Sequence, residues 1–152
     1  MTFSSKTAGT ATAKDHLKYA RMHFENQNFE GMLDSIIASI EVEKAAVEIL
    51  PAGRRFVYGS TRVEMRIDLE QNLFITESHV VNLPASRTLP LLRKLLELNH
   101  SLQEWSRFAL EGDHVFLTYI DLLTHTCPEK IIGVTRGVME ITDQYDNLFV
   151  DD

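Results

Sequence analysis

Cysteine is nearly absent from this chain of 152 residues, because Cys127 is the only one. A single thiol cannot form a disulfide within the chain, and it cannot build a zinc site that needs two or more cysteines. Such sparing use of cysteine fits a reducing compartment, so we expect a cytoplasmic location. Residues 1–13 are mostly small and polar and lack the apolar core of a signal peptide, which indicates a flexible tail.

Long apolar runs and an excess of positive charge are also missing. No stretch of about 18 apolar residues occurs, so the sequence predicts no membrane-spanning helix. Lysine and arginine total 15 against 22 aspartates and glutamates, which gives a formal net charge of −7. A field of this sign repels nucleic-acid phosphates and anionic lipids, so we expect neither nucleic acid nor a membrane as partner.

The composition is that of an ordinary globular domain, with 44% hydrophobic and 24% charged residues. This length fits one domain and no linker divides the chain, so residues 14–149 are predicted to form a single unit. Apolar residues recur at helical spacing in four stretches. These are Lys14 to Gln27, Phe29 to about Glu41, Ser86 to Leu102, and the segment that begins at Pro128.

A strict period of two marks the clearest strand. From Arg62 to Leu69 charged and apolar residues alternate, which predicts a half-buried strand whose apolar side chains face helices. Those side chains are Val63, Met65, Ile67 and Leu69. The segment 42–50 fits a helix and a strand equally well.

Further strands are predicted over Arg54 to Tyr58, Leu73 to Val81, Arg107 to Leu110 and His114 to Leu122. The strands are grouped into a meander and a hairpin rather than alternating singly with helices. This grouping predicts an α+β fold in which an antiparallel β-sheet packs with α-helices.

The nearest approach to a catalytic set is His125 and Cys127, with Asp121 upstream. A cysteine nucleophile needs a base or cation that lowers its pKa, and a further group that orients the base. Residues two apart in a loop do not ensure the first contact, and no third group is identified. We interpret Cys127 as a small, partly buried residue at the entry to the last helix and expect no enzymatic activity.

Metal binding finds little support in the sequence. His16 and His23 are seven apart on one predicted helix, whereas paired helical ligands lie on adjacent turns. Glu77 and His79 share one face of a strand, but two ligands do not complete a site. No metal and no cofactor is therefore expected.

Positive charge concentrates in the predicted meander. Its arginines are Arg54, Arg55, Arg62 and Arg66, with Phe56 and Tyr58 between them. A basic and aromatic sheet face can stack single-stranded bases. Because acidic residues alternate with the last two arginines, we favour charge pairs between neighbouring strands.

Two glycines, Gly133 and Gly137, share one face of the last helix. Within a membrane this spacing favours helix pairing. In a chain with no membrane span, we interpret the pair as allowing the helix to lie close to the sheet.

A series of motifs runs along the second half of the chain. They are Leu95-Leu96-Glu97-Leu98-Asn99, Arg107-Phe108-Ala109-Leu110, Asp113-His114-Val115, the strand Phe116 to Leu122, and a closing helix with Asp143 and Tyr145. In this order they resemble the YbjN family and, more distantly, the type III secretion chaperone-like fold. The likeness extends over about Gly31 to Phe149, and Ser106 stands where the family usually has glycine.

The resemblance implies a small cytoplasmic α+β protein that is often dimeric and has no established enzyme activity. The secretion chaperones bind an extended segment of a client protein. We therefore expect a non-enzymatic protein-binding module, chaperone- or regulator-like, that holds a partner polypeptide as a homodimer. Two alternatives stay open: a small-molecule sensor or enzyme with a pocket between sheet and helices, and a structural subunit of a larger assembly.

The predicted helix from Ser86 to Leu102 carries more leucines than one buried face needs. The surplus widens the apolar stripe, so we expect a two-fold interface in which this helix meets its copy. The predicted interface residues are Leu91, Leu95, Leu98 and Leu102. Alternatively, the helices between Lys14 and Glu41 cover this flank within one chain.

Overall fold

Four α-helices and six β-strands make up the part of the chain that a computed structural model describes, residues 11–40, 46–86, 88–102 and 105–146. In chain order they are α1 (Ala13–Glu25), α2 (Phe29–Ser39), β1 (Val47–Leu50), β2 (Gly53–Tyr58), β3 (Thr61–Asp68), β4 (Leu73–Asn82), α3 (Thr88–Ser101), β5 (Arg107–Glu111), β6 (His114–Leu122) and α4 (Pro128–Asp146). Most of the predicted tail lies outside the described residues. The segment left open by the sequence is a strand at Val47–Leu50, and residues 42–45 lie outside the described part.

Local side-chain chemistry sets where the first two helices begin. Thr12 caps α1 in a capping box, because its hydroxyl accepts from the Asp15 N–H at 3.2 Å while Asp15 accepts from the Thr12 N–H at 3.0 Å. Asn28 caps α2 by accepting from the Gly31 N–H at 3.1 Å. The two helices pack against each other as a helical hairpin.

The six strands form one sheet in the order β1-β2-β3-β4-β6-β5, with every neighbouring pair antiparallel. Two-residue turns join three of these pairs, and Gly59 and Gly112 adopt positive φ angles of 62° and 59° there. Glycine adopts such angles without the steric cost that a Cβ adds. The predicted α+β fold with a meander and a hairpin is confirmed.

The core lies on one face of the sheet. Helices α2 and α4 pack directly on this face, and α1 packs on α2 and α4. On β3, Val63, Met65 and Ile67 are buried as predicted. Leu69 is 63% exposed, so its predicted burial was wrong. The strand ends at Asp68, whose carboxylate accepts from the Gln71 N–H at 3.1 Å, and the turn carries Leu69 away from the helices.

Candidate functional site

The two edges of the sheet are formed by β1 and β5, and they differ in what covers them. An edge strand presents unpaired backbone N–H and C=O groups, which another extended chain can pair with. The candidate site is therefore sought at the edge that the chain itself leaves open.

The β5 edge is covered at Phe108 by the side chain of Asn99 from the end of α3. The Phe108 N–H donates to Asn99 Oδ1 at 2.7 Å, and Asn99 Nδ2 donates to the Phe108 carbonyl at 3.1 Å. One amide side chain thereby takes both hydrogen bonds that an added strand would need at this residue. No sequence pattern singled out this role for Asn99.

The β1 edge has no such cover among the described residues. Leu50 pairs with Gly53 across a two-residue turn, and residues that flank such a turn exchange backbone hydrogen bonds. The alternation of an antiparallel ladder then directs the N–H and C=O of Val47 and Ile49 outward. The Ile49 side chain is 72% exposed, so this edge is apolar as well as unpaired.

A buried arginine fixes the strand next to this edge to α2. Arg54 on β2 is 3% exposed, and its Nε donates to Asp34 Oδ1 at 2.7 Å while Nη1 donates to Glu30 Oε1 at 2.8 Å. The hydrogen bond to Asp34 raises the pKa of the Arg54 guanidinium, and that to Glu30 adds to it. Glu30 also accepts from the Ala52 N–H at 3.0 Å, which holds the β1–β2 turn.

The remaining meander arginines lie on the opposite face of the sheet, where cross-strand ion pairs are confirmed. Arg55 reaches Glu48 on β1 at 2.7 Å and Glu64 on β3 at 2.9 Å. Arg66 reaches Glu77 on β4 at 3.3 Å, and it also contacts Glu64 on its own strand at 2.7 Å. This face carries both charge signs, with an open cavity of about 790 Å³ above it.

The candidate set of His125, Cys127 and Asp121, which the sequence did not favour as catalytic, is not assembled into one site. Cys127 is exposed rather than partly buried. The Asp121 carboxylate instead accepts from Tyr119 at 2.9 Å and from Lys130 at 2.8 Å. The hydrogen bond from Lys130 lowers the pKa of Asp121, while burial and the bond to Asp121 raise the pKa of Tyr119. These contacts give Asp121 a role in joining β6 to α4 rather than orienting His125.

The predicted metal-ligand candidates are engaged elsewhere. His23 lies 3.1 Å from the side-chain amide of Asn28. Glu77 accepts from Thr118 at 3.1 Å, and His79 shares a 2.8 Å hydrogen bond with Asn82. Within the described ranges, no group of three or more histidine, cysteine, aspartate or glutamate residues could hold a metal ion.

The predicted interface leucines lie mostly against the chain's own core. Leu95 is 5% exposed, while Leu91, Leu98 and Leu102 are partly buried. The leucines of α3 that reach solvent are Leu89 at 79% and Leu96 at 70% exposure. The dimer through α3 stays a prediction.

The interpretation of the last helix's glycines was wrong. A Cβ added at Gly133 or Gly137 would meet no atom within 4 Å, so the helix makes no close approach to the sheet at either glycine. The close approach occurs at Gly53, where a Cβ would lie 2.8 Å from the Met65 carbonyl oxygen. The two helical glycines instead lie in a groove of about 320 Å³ that Trp105 also lines.

No helix in the described part of the chain is long and apolar enough to cross a membrane.

No family model and no curated protein matches the sequence. Among solved structures, the chain is similar to the ExsC-ExsE complex, with 12% identity, coverage of 82% of this chain and 94% of that chain, and a TM-score of 0.60. It is similar to the HopA1-SchA chaperone-effector complex, with 12% identity, coverage of 82% and 97%, and a TM-score of 0.61.

A third similar structure is the Yersinia pestis type III secretion chaperone SycH in complex with a stable fragment of YscM2. It has 13% identity, coverage of 76% of this chain and 98% of that chain, and a TM-score of 0.54. Identities this low show the fold alone. The chain has the secretion chaperone-like α+β fold that its motifs resemble.

Proposed function

We propose that this protein is a non-enzymatic protein-binding module, chaperone- or regulator-like, that holds an extended segment of a partner polypeptide. The observation that carries the proposal is the β1 edge, where Val47 and Ile49 direct backbone groups outward and Ile49 exposes 72% of its surface. An extended peptide can add a strand at such an edge, gaining affinity from main-chain hydrogen bonds and specificity from alternate side chains.

The contrast between the two edges supports this choice of site. Natural proteins protect edge strands that must not pair with other chains, and Asn99 protects β5 in this way at Phe108. The β1 side is held rigidly instead, since Arg54 and Glu30 tie β2 and its turn to α2. A preformed edge lowers the entropy that binding an added strand must overcome.

The similar solved structures support the same proposal by analogy. Each of the three contains a protein in complex with another protein or a fragment of one, and one is described as a chaperone-effector complex. We extend the proposal to a cytoplasmic homodimer related to the YbjN family, with residues 14–149 in one domain whose first helix is capped by Thr12.

The proposal is tested at one residue with two substitutions. Ile49→Pro removes an outward N–H that no described strand uses, whereas Ile49→Ala removes the side chain and keeps the N–H. Affinity capture from native lysate, quantified by mass spectrometry, should find a partner with the wild type and with Ile49→Ala. Ile49→Pro should lose about nine tenths of it, as expected for a loss of over 1.4 kcal/mol.

Two results would count against the proposal. Equal capture by Ile49→Pro and wild type, both folded by circular dichroism, would place the partner elsewhere. Loss of capture in a folded Cys127→Ser variant would favour the hypothesis that Cys127 is a nucleophile. Cys127 is exposed and is not part of β1, so this substitution should not disturb the proposed binding edge.

A second candidate is the small-molecule sensor or enzyme. A cavity of about 450 Å³ lies between the sheet and α4, lined by Tyr58, Arg136, Glu140 and Asp143 among others. Its size is within the range of ligand sites, about 300–1,000 Å³. A thermal-shift screen with small carboxylates and amines would favour this candidate if stabilisation is lost in Arg136→Ala and kept in Ile49→Pro.

A further inference from the structure

Glu48 is the only charged residue of β1 (Val47–Leu50), the strand at the open edge of the sheet. Successive side chains of a strand alternate between the two faces of its sheet. The register places Glu48 opposite Arg55, on the face away from the helices, and Ile49 opposite the buried Arg54. A strand added at this edge would therefore place one of its side chains directly beside Glu48.

A row of alternating charges crosses the sheet on this face and ends at Glu48. Arg55 on β2 lies opposite both Glu48 and Glu64 of β3, and it reaches them at 2.7 Å and 2.9 Å. The order across the three strands is therefore negative, positive, negative. Opposite charges that face each other on neighbouring strands stabilise a sheet, whereas like charges destabilise it. A further strand beside β1 would continue this order with a positive side chain.

The charges of this network do not balance. Within the described part of the chain, its ion pairs link three carboxylates to two guanidinium groups, which leaves one negative charge in excess. The linked residues are Glu48, Arg55, Glu64, Arg66 and Glu77. The Glu48 side chain is 57% exposed, whereas those of Glu64 and Glu77 are 17% exposed. The excess negative charge is thus most accessible at the edge strand.

A lone carboxylate on an edge strand also acts against some partners. An apolar residue placed beside Glu48 would desolvate the carboxylate without compensating its charge, and an acidic residue would repel it. A lysine or an arginine would compensate it. Specificity of this kind combines an attraction to one partner with a cost for the others.

We propose that Glu48 selects a partner segment that is basic as well as extended. A lysine or arginine of the added strand pairs with Glu48, and apolar residues on either side of it lie beside Val47 and Ile49. The inference rests on the proposed function, because it names the chemistry of the segment that pairs with β1. The formal net charge of −7 agrees with it, since a field of this sign favours encounter with cationic segments.

Synthetic peptides of about nine residues serve as probes. Each carries valine at alternate positions, and the positions between are all lysine, all glutamine or all glutamate. Fluorescence anisotropy measures their binding to the full chain at about 0.15 M salt, where charges more than about 8 Å apart are largely screened. The lysine peptide should bind most tightly and the glutamate peptide least, with about tenfold between them.

Substitutions at Glu48 should change this order. Glu48→Lys should reverse it, so that the glutamate peptide binds most tightly. Glu48→Gln removes the charge without adding a cation beside Arg55, and should reduce the preference for lysine to less than about threefold. Glu111→Lys is the matched control, because it makes the same change in net charge at the end of β5, on the opposite edge of the sheet, and should keep the preference. Circular dichroism checks that each variant is folded.

Two results would overturn the inference and leave the proposed function standing. One is equal binding of the three peptides to the wild type, with loss of all three in Ile49→Pro. The other is a preference for lysine that Glu48→Lys leaves unchanged, or that Glu111→Lys reduces equally. Binding that survives in Ile49→Pro, or no binding of any peptide at millimolar concentration, would instead reject the β1 edge as the binding site and this inference with it.

Discussion

The side-chain amide of Asn99 forms with Phe108 the two hydrogen bonds that a neighbouring strand would form, at 2.7 and 3.1 Å. The end of α3 is thereby joined to the backbone of an edge strand. A side chain in this position stabilises the fold and prevents unwanted pairing at the same time.

Replacing Asn99 by alanine should lower the free energy of unfolding by about 1–3 kcal/mol, because it removes both hydrogen bonds between the Asn99 amide and the Phe108 backbone. It should also promote association through the freed edge. Urea unfolding measures the first effect, and concentration-dependent light scattering measures the second. Asn99→Asp keeps the acceptor and loses the donor, so its stability should be intermediate at most. Unchanged stability in Asn99→Ala would show that the pair contributes little.

The ion pairs of Arg54 with Asp34 and Glu30 predict that replacing the two carboxylates lowers stability more than replacing the arginine does. Asp34→Ala with Glu30→Ala leaves a cation that is 3% exposed without its two carboxylates, with the Gly53 carbonyl at 2.6 Å as a remaining acceptor, and should cost about 2–4 kcal/mol. Arg54→Met removes the buried charge itself and leaves the two carboxylates in water, so it should cost less. Chemical denaturation of the three proteins checks the order. A larger loss for Arg54→Met would show that the hydrogen bond from the guanidinium to the Gly53 carbonyl contributes more than the two carboxylates.

The Tyr119–Asp121–Lys130 cluster predicts a defined dependence of stability on pH. Lys130 lowers the pKa of Asp121 below its ordinary 3.8, so this contribution is present above that pH and is lost as the pH falls through the lowered pKa. The pKa values of Tyr119 and Lys130 are raised above 10.0 and 10.5, so their contribution is lost as the pH rises beyond those values.

Urea unfolding across the acid range should therefore show a steeper loss of stability in the wild type than in Asp121→Asn. Tyr119→Phe is the control for the alkaline limb, because it removes the phenol and keeps the buried ring. Parallel pH profiles of wild type and Asp121→Asn would contradict the assignment of this dependence to the cluster.

The predicted dimer through α3 is best tested at its exposed leucines. Leu89→Glu with Leu96→Glu should leave the monomer folded, because both side chains are more than two-thirds exposed. Leu91→Glu with Leu98→Glu should also lower stability, since these residues are partly buried in the same chain. Light scattering reads the assembly state of both pairs. A dimer that persists with Leu89→Glu and Leu96→Glu would place α3 outside the interface.

The periodicity of apolar residues predicted the fold well because it indicates on which face of a helix or strand each residue lies. The alternation along β3 placed Val63, Met65 and Ile67 in the core, and it failed only at Leu69, where Asp68 closes a turn. The same rule could not decide whether segment 42–50 is a helix or a strand. The four residues of β1 are too few for an alternating pattern to be recognised beside helix-forming neighbours.

The candidate sites were harder to predict because they depend on contacts between elements far apart in sequence. Arg54 and Arg55 are adjacent and chemically identical, yet one is buried against α2 and the other lies in the cross-strand network. Only the packing of α2 on β2 distinguishes them. The groove at Gly133 and Gly137 was missed for the same reason, since glycine spacing does not reveal which way a helix face points.

The order of strands also sets how the chain assembles. Strands β1 to β4 join neighbours through short turns, and β5 joins β6 in the same way, whereas β4 meets β6 only across the whole of α3 and β5. The entropy of loop closure is thus concentrated in one step, the docking of the β5–β6 hairpin onto the meander. Until that step, β4 is itself an open edge, so the nascent protein presents a second unpaired strand that the finished fold conceals.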